Sequence, residues 1–374
     1  MAERLRILRV VIGLNQGGVQ QAVLNLFRGL DPRRFEPIAC AIENSGAIGK
    51  EIEAAGFEVV TLGHRRQPWA TIRGLRKLMI ERRIDIVHAS SYHPSFYARL
   101  AALWAGVPVL ISHEHVVFDH RRKQREWLNR LLQPKTDAYI AVGALVGRQV
   151  KDWYGYPAEK VRVIHNGVDL SRFAPVDDRP ALRAELGFPA ESPLVAMVAR
   201  LDPEKGHATL FEAISLLPPT QQATWLIVGT GRQEADVRAA AVRFGVAERV
   251  HFLGMRRDIP ALLKAADIFV FPTLQEGFSN ALIEAMASGC AIAASDYPSN
   301  LEAVVDGECA LISPRSDAPA LAANLGHLLE SPELRERLAT AARRRAVGEF
   351  SLAANAGKTA ALYESLWQQR RTLR

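Results

Sequence analysis

The chain has 374 residues, of which 48% are hydrophobic and 23% are charged, an ordinary composition for a soluble globular protein. Its length exceeds that of one ordinary α/β domain and fits two, and no apolar run approaches the ~20 residues that span a bilayer. Positive charge is concentrated in the first half. Residues 1–170 hold 25 Lys and Arg against 16 Asp and Glu, a net charge of +9, whereas the remainder holds 22 against 24, a net charge of −2.

The cysteines and the first residues indicate the cellular compartment, and the charge distribution indicates the kind of partner. The 3 cysteines have no metal-ligand spacing and cannot all pair. The chain begins with a short strand, without the apolar region of a signal peptide. We therefore expect reduced, buried thiols and a cytoplasmic protein. The basic first half predicts an anionic partner, such as an anionic membrane surface or a phosphorylated acceptor. No nucleic-acid partner is expected, because no motif that reads RNA or DNA is present.

The first half alternates predicted strands with helical stretches, which indicates a parallel sheet with right-handed crossovers. It opens with a strand at 6–14, a turn that contains Gly17 and Gly18, and a helix from 19 to 30. Such a turn brings backbone amides close to a ligand, although a tight turn without a ligand is the more common explanation of a glycine pair. The later strands are predicted at 37–42, 58–62, 85–89, 108–112, 137–142 and 161–165.

The second half repeats this alternation after a proline-containing stretch. Its strands are predicted at 194–198, 225–228, 250–253, 267–271, 291–294 and 310–312. The predicted fold class is therefore α/β, with two Rossmann-like, doubly wound parallel-sheet domains that face each other across a cleft. We place the domains at 1–170 and 194–350, the linker at 171–193 and a C-terminal helix at 351–374.

Histidines stand at the ends of two predicted strands in the first half. His113 and His115 follow the strand at 108–112, and His88 lies in the strand at 85–89. A single histidine in such a place is usually a hydrogen-bonded structural residue. The run His-Glu-His also resembles part of a metal site, but no third and fourth ligand stands at useful spacing, so no metal is expected.

The segment 121–132 is basic and amphipathic, with Trp127, Leu128, Leu131 and Leu132 on one face at helical spacing. One interpretation is that this face packs on the sheet while the arginines are solvated. The other is that the segment docks on an anionic membrane that carries a lipid-linked acceptor.

Two cations, Arg200 and Lys205, flank a turn containing Pro203 after the first strand of the second half. Arginine offers a planar fork of donors and lysine a point charge, so the pair can hold a diphosphate beside a helix start. In isolation, the same pair is also explained as solvated side chains near a turn.

The stretch 276–289 carries the clearest site pattern. It follows the apolar strand at 267–271, and Ser279 or Asn280 can cap a helix that Gly289 ends. Glu276 therefore lies at the carboxyl end of a strand, where open α/β sheets bind ligands. Glu284 lies one turn into the helix and can face the same crevice. Two carboxylates beside free helix amides suit a ligand that is both polyhydroxylated and phosphorylated, such as a nucleotide sugar.

These residues resemble a known signature. The run EGFSN at 276–280 together with EAMASG at 284–289 is similar to the E-x7-E motif of the retaining glycosyltransferase family 4, which has the GT-B fold. The run 199–206 resembles the family's G-R-L-x-x-x-K-G motif, with Ala199 in place of the usual glycine. The run VIHNGVD at 163–169 resembles the end of the family's N-terminal domain.

The resemblance implies a role for each site residue. Arg200 and Lys205 neutralise the leaving nucleoside diphosphate. Glu276 holds the sugar hydroxyls and Glu284 the ribose hydroxyls. His115 orients the sugar, with His113 as the competing assignment. The other substrate-binding residues implied are Gly17, Gly18, Gly229, Gly231, Arg256, Phe278, Ser279 and Asn280.

The implied function is retaining transfer of a sugar from a UDP- or GDP-sugar to a hydroxyl of a glycan or lipid-linked acceptor, in polysaccharide, lipopolysaccharide or glycolipid synthesis. No Asp-x-Asp stands in a metal-binding context, so no cofactor is expected. The resemblance also implies that the C-terminal helix crosses back to the first domain. From the cysteines, the first residues and the basic segment 121–132, we expect the enzyme in the cytoplasm or peripherally on the inner face of the cell membrane. The alternatives are a sugar-nucleotide epimerase on the same fold, which needs an acid/base set that is not evident, and a non-enzymatic sugar-binding protein.

Overall fold

The computed structural model describes residues 4–118 and 120–372. The chain divides into two compact units, one made of residues 1–167 and 352–374 and the other of residues 168–351. The first and last domain segments expected from the sequence include positions 1–3, 119 and 373–374, which lie outside the described residues.

The first unit contains a seven-stranded parallel sheet in the order β3-β2-β1-β4-β5-β6-β7. Its strands are β1 (Leu5–Val11), β2 (Phe35–Ala41), β3 (Glu58–Thr61), β4 (Ile86–Ser90), β5 (Val109–Glu114), β6 (Ala138–Ala141) and β7 (Val161–Val163). The helices between them are α1 (Gly18–Gly29), α2 (Gly46–Ala54), α3 (Pro68–Glu81), α4 (Tyr92–Ala105), α5 (Lys123–Leu132) and α6 (Ala144–Tyr154).

The second unit contains a six-stranded parallel sheet in the order β10-β9-β8-β11-β12-β13. Its strands are β8 (Leu194–Val198), β9 (Thr224–Val228), β10 (Val250–Gly254), β11 (Ile268–Phe271), β12 (Ala291–Ser295) and β13 (Leu311–Ser313). Its helices are α7 (Arg179–Glu185), α8 (His207–Leu216), α9 (Glu234–Arg243), α10 (Ile259–Ala265), α11 (Asn280–Ser288), α12 (Pro298–Ala303), α13 (Ala318–Glu330) and α14 (Pro332–Glu349).

The last helix, α15 (Leu352–Thr372), belongs to the first unit. Its Tyr363 is fully buried and its Ala356 and Leu366 join a core cluster with Ile7 and Phe35. The Tyr363 ring meets the Phe35 ring edge-on at 6.0 Å between centroids. The end of the chain therefore completes the core of the unit in which the chain begins.

Helices cover both faces of each sheet, so the central strands are largely buried on both sides. The four residues of β11 are at most 1% exposed, as expected for a parallel strand buried on both sides. The two doubly wound sheets confirm the predicted α/β fold class. Strand β8 has the predicted bounds, but β1 ends at Val11 rather than at position 14.

The strand orders locate the ligand-binding edge of each sheet. In the first unit the order reverses between β1 and β4, and in the second between β8 and β11. Open α/β sheets bind ligands at the carboxyl ends of the strands beside this reversal. The loops that follow β8 and β11 carry five of the site residues expected from the sequence, namely Arg200, Lys205, Glu276, Phe278 and Ser279. The loop after β4 contacts the end of β5, where Ser91 N donates to His113 O at 2.8 Å.

Candidate active site

The loops after β8 and β11 are joined to each other by hydrogen bonds. Thr273 Oγ1 donates to the carbonyl oxygens of Glu204 (3.0 Å) and Gln275 (3.1 Å), and Leu274 N donates to the same Glu204 oxygen (2.8 Å). These bonds hold the β11 loop against the turn that carries Lys205. The two sequence-predicted groups of residues therefore form one surface.

Lys205 and Glu276 meet on this surface. Lys205 Nζ lies 3.1 Å from Glu276 Oε2 and donates to Gln275 O at 3.3 Å. The Lys205 side chain is 9% exposed and that of Glu276 is 24% exposed. Glu276 Oε1 also accepts from Gly277 N (3.1 Å). The ammonium group and the carboxylate are thus fixed in place at the carboxyl edge of the sheet.

Arg200 lies on the same loop with different partners. Its guanidinium forms ion pairs with Asp202 and with Glu204, the latter at 3.0 Å, and its side chain is 59% exposed. The sequence analysis did not single out either acid. A substrate anion at this edge would compete with both carboxylates for Arg200.

The helix α11 begins at this surface. Ser279 caps it by accepting from Leu282 N at 3.2 Å, so that Asn280 is its first residue. Phe278 is 5% exposed and packs against Phe350, with 5.4 Å between ring centroids. The structure therefore gives Ser279 and Phe278 structural contacts, and their binding roles stay predictions.

Glu284 lies in the second turn of α11. Burial raises the pKa of its carboxyl to about 7, against a smaller lowering effect of the positive charge of Arg172. A carboxyl with such a pKa can donate as well as accept hydrogen bonds near neutral pH. Both properties suit contacts with a pair of hydroxyl groups.

Gly229 and Gly231 lie under the Arg200 loop. A Cβ at Gly229 would stand 2.0 Å from Ala199 O, and one at Gly231 would stand 2.2 Å from Leu201 O. Glycine is therefore required at both positions by the close approach of two backbone segments. This structural requirement is separate from the substrate-binding role that the sequence predicts.

Arg256 is engaged by its own loop. Its Nε and Nη2 donate to the two carboxylate oxygens of Asp258 at 2.8 and 2.5 Å. The guanidinium is thus held in a bidentate pair, a geometry that fixes its direction. Its contact with substrate stays a prediction.

In the first unit, Gly17 and Gly18 stand at the start of α1, after β1. Gly17 has an extended backbone, and an added Cβ would meet only the flexible end of Gln20, 2.6 Å away. The fold itself therefore does not demand glycine at position 17. This leaves close approach of a ligand as a reason for it, as the sequence predicts.

His113 and His115 lie side by side at the end of β5. They are 8% and 7% exposed, and their rings stack with centroids 3.9 Å apart. His113 contacts His88, and His115 contacts Ser90. Sequence reasoning did not find the buried Arg9, which bonds Ser90 (2.8 Å). An arginine inside the apolar run of β1 is the signal that could have revealed it.

Two general features concern metals and membranes. Within residues 4–118 and 120–372, no group of three or more His, Cys, Asp or Glu side chains is arranged to hold a metal ion. In the same part of the chain, none of the helices has the length and apolar character required to cross a membrane.

Comparison with known proteins gives the family. The model "Glycosyltransferase Family 4" matches residues 16–172, and "Glycosyl transferases group 1" matches residues 178–345. EpsF of Bacillus subtilis (strain 168), named as a glycosyltransferase, is 31% identical over 307 residues, covering 78% of this chain and 79% of that protein. The chain belongs to this glycosyltransferase family. It is therefore an enzyme with glycosyltransferase activity, as the sequence predicts.

Other similar proteins support the same fold. The Escherichia coli UDP-Gal:alpha-D-GlcNAc-diphosphoundecaprenol alpha-1,3-galactosyltransferase is 29% identical over 317 residues, covering 79% of this glycosyltransferase and 81% of the relative. The crystal structure of Anabaena HepE in complex with UDP-glucose aligns with a TM-score of 0.85 at 23% identity, covering 97% of this chain and all of HepE. The two parallel-sheet units and this likeness identify the GT-B fold.

Proposed function

We propose that this glycosyltransferase moves a hexose from a UDP-sugar to a hydroxyl of a glycan or lipid-linked acceptor, with retention at the anomeric carbon. The observation that carries the proposal is the fixed pair of Lys205 and Glu276 at the carboxyl edge of the sheet, where the strand order reverses between β8 and β11. A cation and a carboxylate there match a substrate that carries a diphosphate and hydroxyl groups. The UDP-Gal in the name of the Escherichia coli relative supports uridine as the base.

Charge develops on the diphosphate as it leaves the anomeric carbon, so fixed cations and amides around it should contribute most to catalysis. Lys205 is assigned to these oxygens together with the backbone amides at the start of α11. Arg200 is assigned to them as well, and it must exchange Asp202 and Glu204 for the substrate. The positive charge of Lys205 stabilises the ionised carboxylate of Glu276, and an ionised carboxylate can accept hydrogen bonds from sugar hydroxyls.

The ribose and the sugar need separate hydroxyl-binding groups. Glu284 is assigned to the ribose because of its carboxyl, which has a pKa of about 7. Such a carboxyl can accept a hydrogen bond from one ribose hydroxyl and donate one to the oxygen of the other ribose hydroxyl. His115 of the first unit is assigned to the transferred sugar. The acceptor hydroxyl then attacks on the face from which the diphosphate departs, and the configuration at the anomeric carbon is retained.

The acceptor is proposed to be presented at an anionic membrane on the cytoplasmic side. Helix α5 exposes Trp127 (63%) and Leu131 (61%), one turn apart, while Leu132 is buried. Of the two interpretations of this segment, the one in which all four apolar side chains pack on the sheet is therefore wrong. Asn129 takes the inward position because Arg99 Nη2 donates to its Oδ1 at 2.8 Å. An exposed apolar pair beside basic residues suits peripheral binding to acidic lipid.

The test is a panel of nucleotide-diphosphate sugars incubated with the purified protein. We expect UDP-sugars to raise the unfolding temperature, since a ligand that binds only the folded state stabilises it. We also expect slow release of UDP without acceptor, with the anomeric configuration of the free sugar retained. Conversion of the sugar nucleotide to its epimer, without release of UDP, would instead establish the epimerase alternative.

A further inference from the structure

Six polar side chains form a buried group beneath the carboxyl end of β5, here named the histidine cluster. They come from four elements of the first unit, and each is less than 9% exposed. The members are Arg9 on β1, His88 and Ser90 on β4, His113 on β5, His115 directly after β5, and Tyr363 on α15. Buried polar groups of this number must be hydrogen-bonded to be tolerated, so their bonds can be followed from one donor to the next.

The first series of bonds begins at Tyr363. Its hydroxyl lies 2.6 Å from His88 Nδ1, and His88 Nε2 lies 3.1 Å from His113 Nδ1. Burial raises the pKa of the Tyr363 hydroxyl, so it stays a phenol. Among the described residues, His88 is the acceptor within reach of that hydroxyl. Tyr363 therefore donates to His88 Nδ1, His88 donates from Nε2, and His113 carries its proton on Nε2.

The second series begins at Arg9, whose guanidinium can only donate. Its Nη2 donates to Ser90 Oγ at 2.8 Å, and Ser90 Oγ lies 3.1 Å from His115 Nε2. If His115 donated to Ser90, the serine hydrogen would have no acceptor among the described residues. Ser90 therefore donates to His115 Nε2, and His115 carries its proton on Nδ1.

Both series end at a ring nitrogen that carries hydrogen and has no protein acceptor. Within the described chain, His113 Nε2 and His115 Nδ1 are buried and make no hydrogen bond. Each ring directs its bonded nitrogen to a side chain of β4, so both remaining N–H groups point away from that strand. An unsatisfied buried donor is destabilising, and a ligand oxygen that accepts from it would remove that cost.

We propose that Tyr363 and Arg9 are positioning residues that fix His113 and His115 as two N–H donors, and that both histidines contact hydroxyl oxygens of the same sugar. Under this proposal both histidines bind the sugar, so the two assignments are no longer alternatives. Although the sugar contact rests on the proposed function, the two tautomers do not depend on it.

Electrostatics keeps both rings neutral, as the accepting roles of His113 Nδ1 and His115 Nε2 require. Burial, and then the positive charge of Arg9, lower the pKa of His115 to about 3. Burial lowers the pKa of His113 well below its ordinary value, and the neighbouring charges of His115, His88 and Arg9 add to this. Burial also raises the pKa of the adjacent Glu114 to about 7, so that carboxyl opposes the effect only weakly near neutral pH.

The tautomers are measured directly by two-bond ¹H–¹⁵N spectra of the full chain labelled with ¹⁵N-histidine. We expect His115 in the Nδ1–H form and His113 in the Nε2–H form, assigned with single His→Gln variants. Tyr363→Phe should turn His113 into a mixture of tautomers and leave His115 unchanged. A wild-type spectrum with His115 in the Nε2–H form, or with His113 in the Nδ1–H form, would overturn the proposal without any variant.

Tyr156→Phe is the matched control. Its hydroxyl is also buried and bonded, to Arg99 (2.9 Å) and Thr136 (3.2 Å), in a network separate from the histidine cluster. It should lower the unfolding temperature but leave the tautomers and kcat/KM as in the wild type. Tyr363→Phe should lower kcat/KM about tenfold, the value of one lost hydrogen bond. An equal kcat/KM loss in both variants would make Tyr363 structural only.

Titration with UDP-glucose and UDP-galactose, and with UDP alone, tests the sugar contact. We expect the ¹⁵N shifts of both His113 Nε2 and His115 Nδ1 to move with a sugar nucleotide and to stay in place with UDP. A response from one ring alone would refute the paired contact. If no nucleotide sugar binds, the proposed function and the sugar contact both fail, while the spectrum of the free protein still decides the tautomers.

Discussion

Replacing Lys205 by alanine tests the donor site most sharply, because the change affects stability and turnover by different amounts. The substitution leaves Glu276 without its cation and removes one donor of Gln275 O, which keeps its hydrogen bond from Thr273 Oγ1. Removing one partner of a fully buried ion pair costs about 3–5 kcal/mol. Because Glu276 is 24% exposed and can be hydrated, we expect a loss of about 1–2 kcal/mol.

The expected loss of stability is small, whereas the expected loss of turnover is large. For a unit of this size, about 1–2 kcal/mol corresponds to a fall in unfolding temperature of roughly 2–8 °C, so the variant should stay folded at 25 °C. Turnover should fall about 10²–10³-fold, as when a charge-stabilising donor is removed from an active site. Release of UDP and differential scanning calorimetry measure the two effects.

Two further variants make this prediction specific. Lys264→Ala on α10 removes the other lysine of the second unit and should leave kcat unchanged. Combining Lys205→Ala with Glu276→Gln should cost less stability than the sum of the single variants, since the second change removes the stranded charge. A Lys205→Ala protein that turns over at the wild-type rate would refute the leaving-group role.

Four more outcomes are expected. Arg200→Lys should retain its fold, by circular dichroism, and lose most of its turnover, since a point charge cannot replace a fork; wild-type turnover would contradict this. Activity should survive EDTA. A loss of activity in EDTA that is reversed by adding Mg²⁺ or Mn²⁺ would exclude the metal-free mechanism. The protein should sediment with acidic liposomes at low salt and be released as the salt concentration rises. Replacing the basic residues of the α5 region by Ser should weaken liposome binding without slowing donor hydrolysis (Arg121, Arg122, Lys123 and Arg125). Wild-type protein that does not sediment with acidic liposomes at low salt would refute membrane docking. Because the folded pKa of Glu284 is raised to about 7, its stabilising effect is full below its ordinary pKa of about 4.5 and is lost as pH rises through 7; chemical denaturation of Glu284→Gln should show a weaker fall over that range, and parallel curves would disprove it.

Most of the fold and the donor-side pattern could be predicted from the sequence, because both depend on local signals. Alternating apolar strands and helices indicate parallel sheets wherever they occur, and β8 has the predicted bounds. The helix α11 begins after Ser279 and ends at Gly289, as capping chemistry requires. These features need only a few neighbouring residues, so one linear pattern is enough to find them.

Only the tertiary structure decided which side chains meet. Tyr363 and His88 are 275 positions apart in the chain, and no local signal joins them. The same holds for Lys205 and Glu276, 71 positions apart, until the neighbouring strands β8 and β11 bring their loops together. The sequence left the exposure of Trp127 open for a related reason. Helical spacing shows which residues share a face, but whether that face is covered depends on Arg99 and Asn129, which bond only in the folded protein.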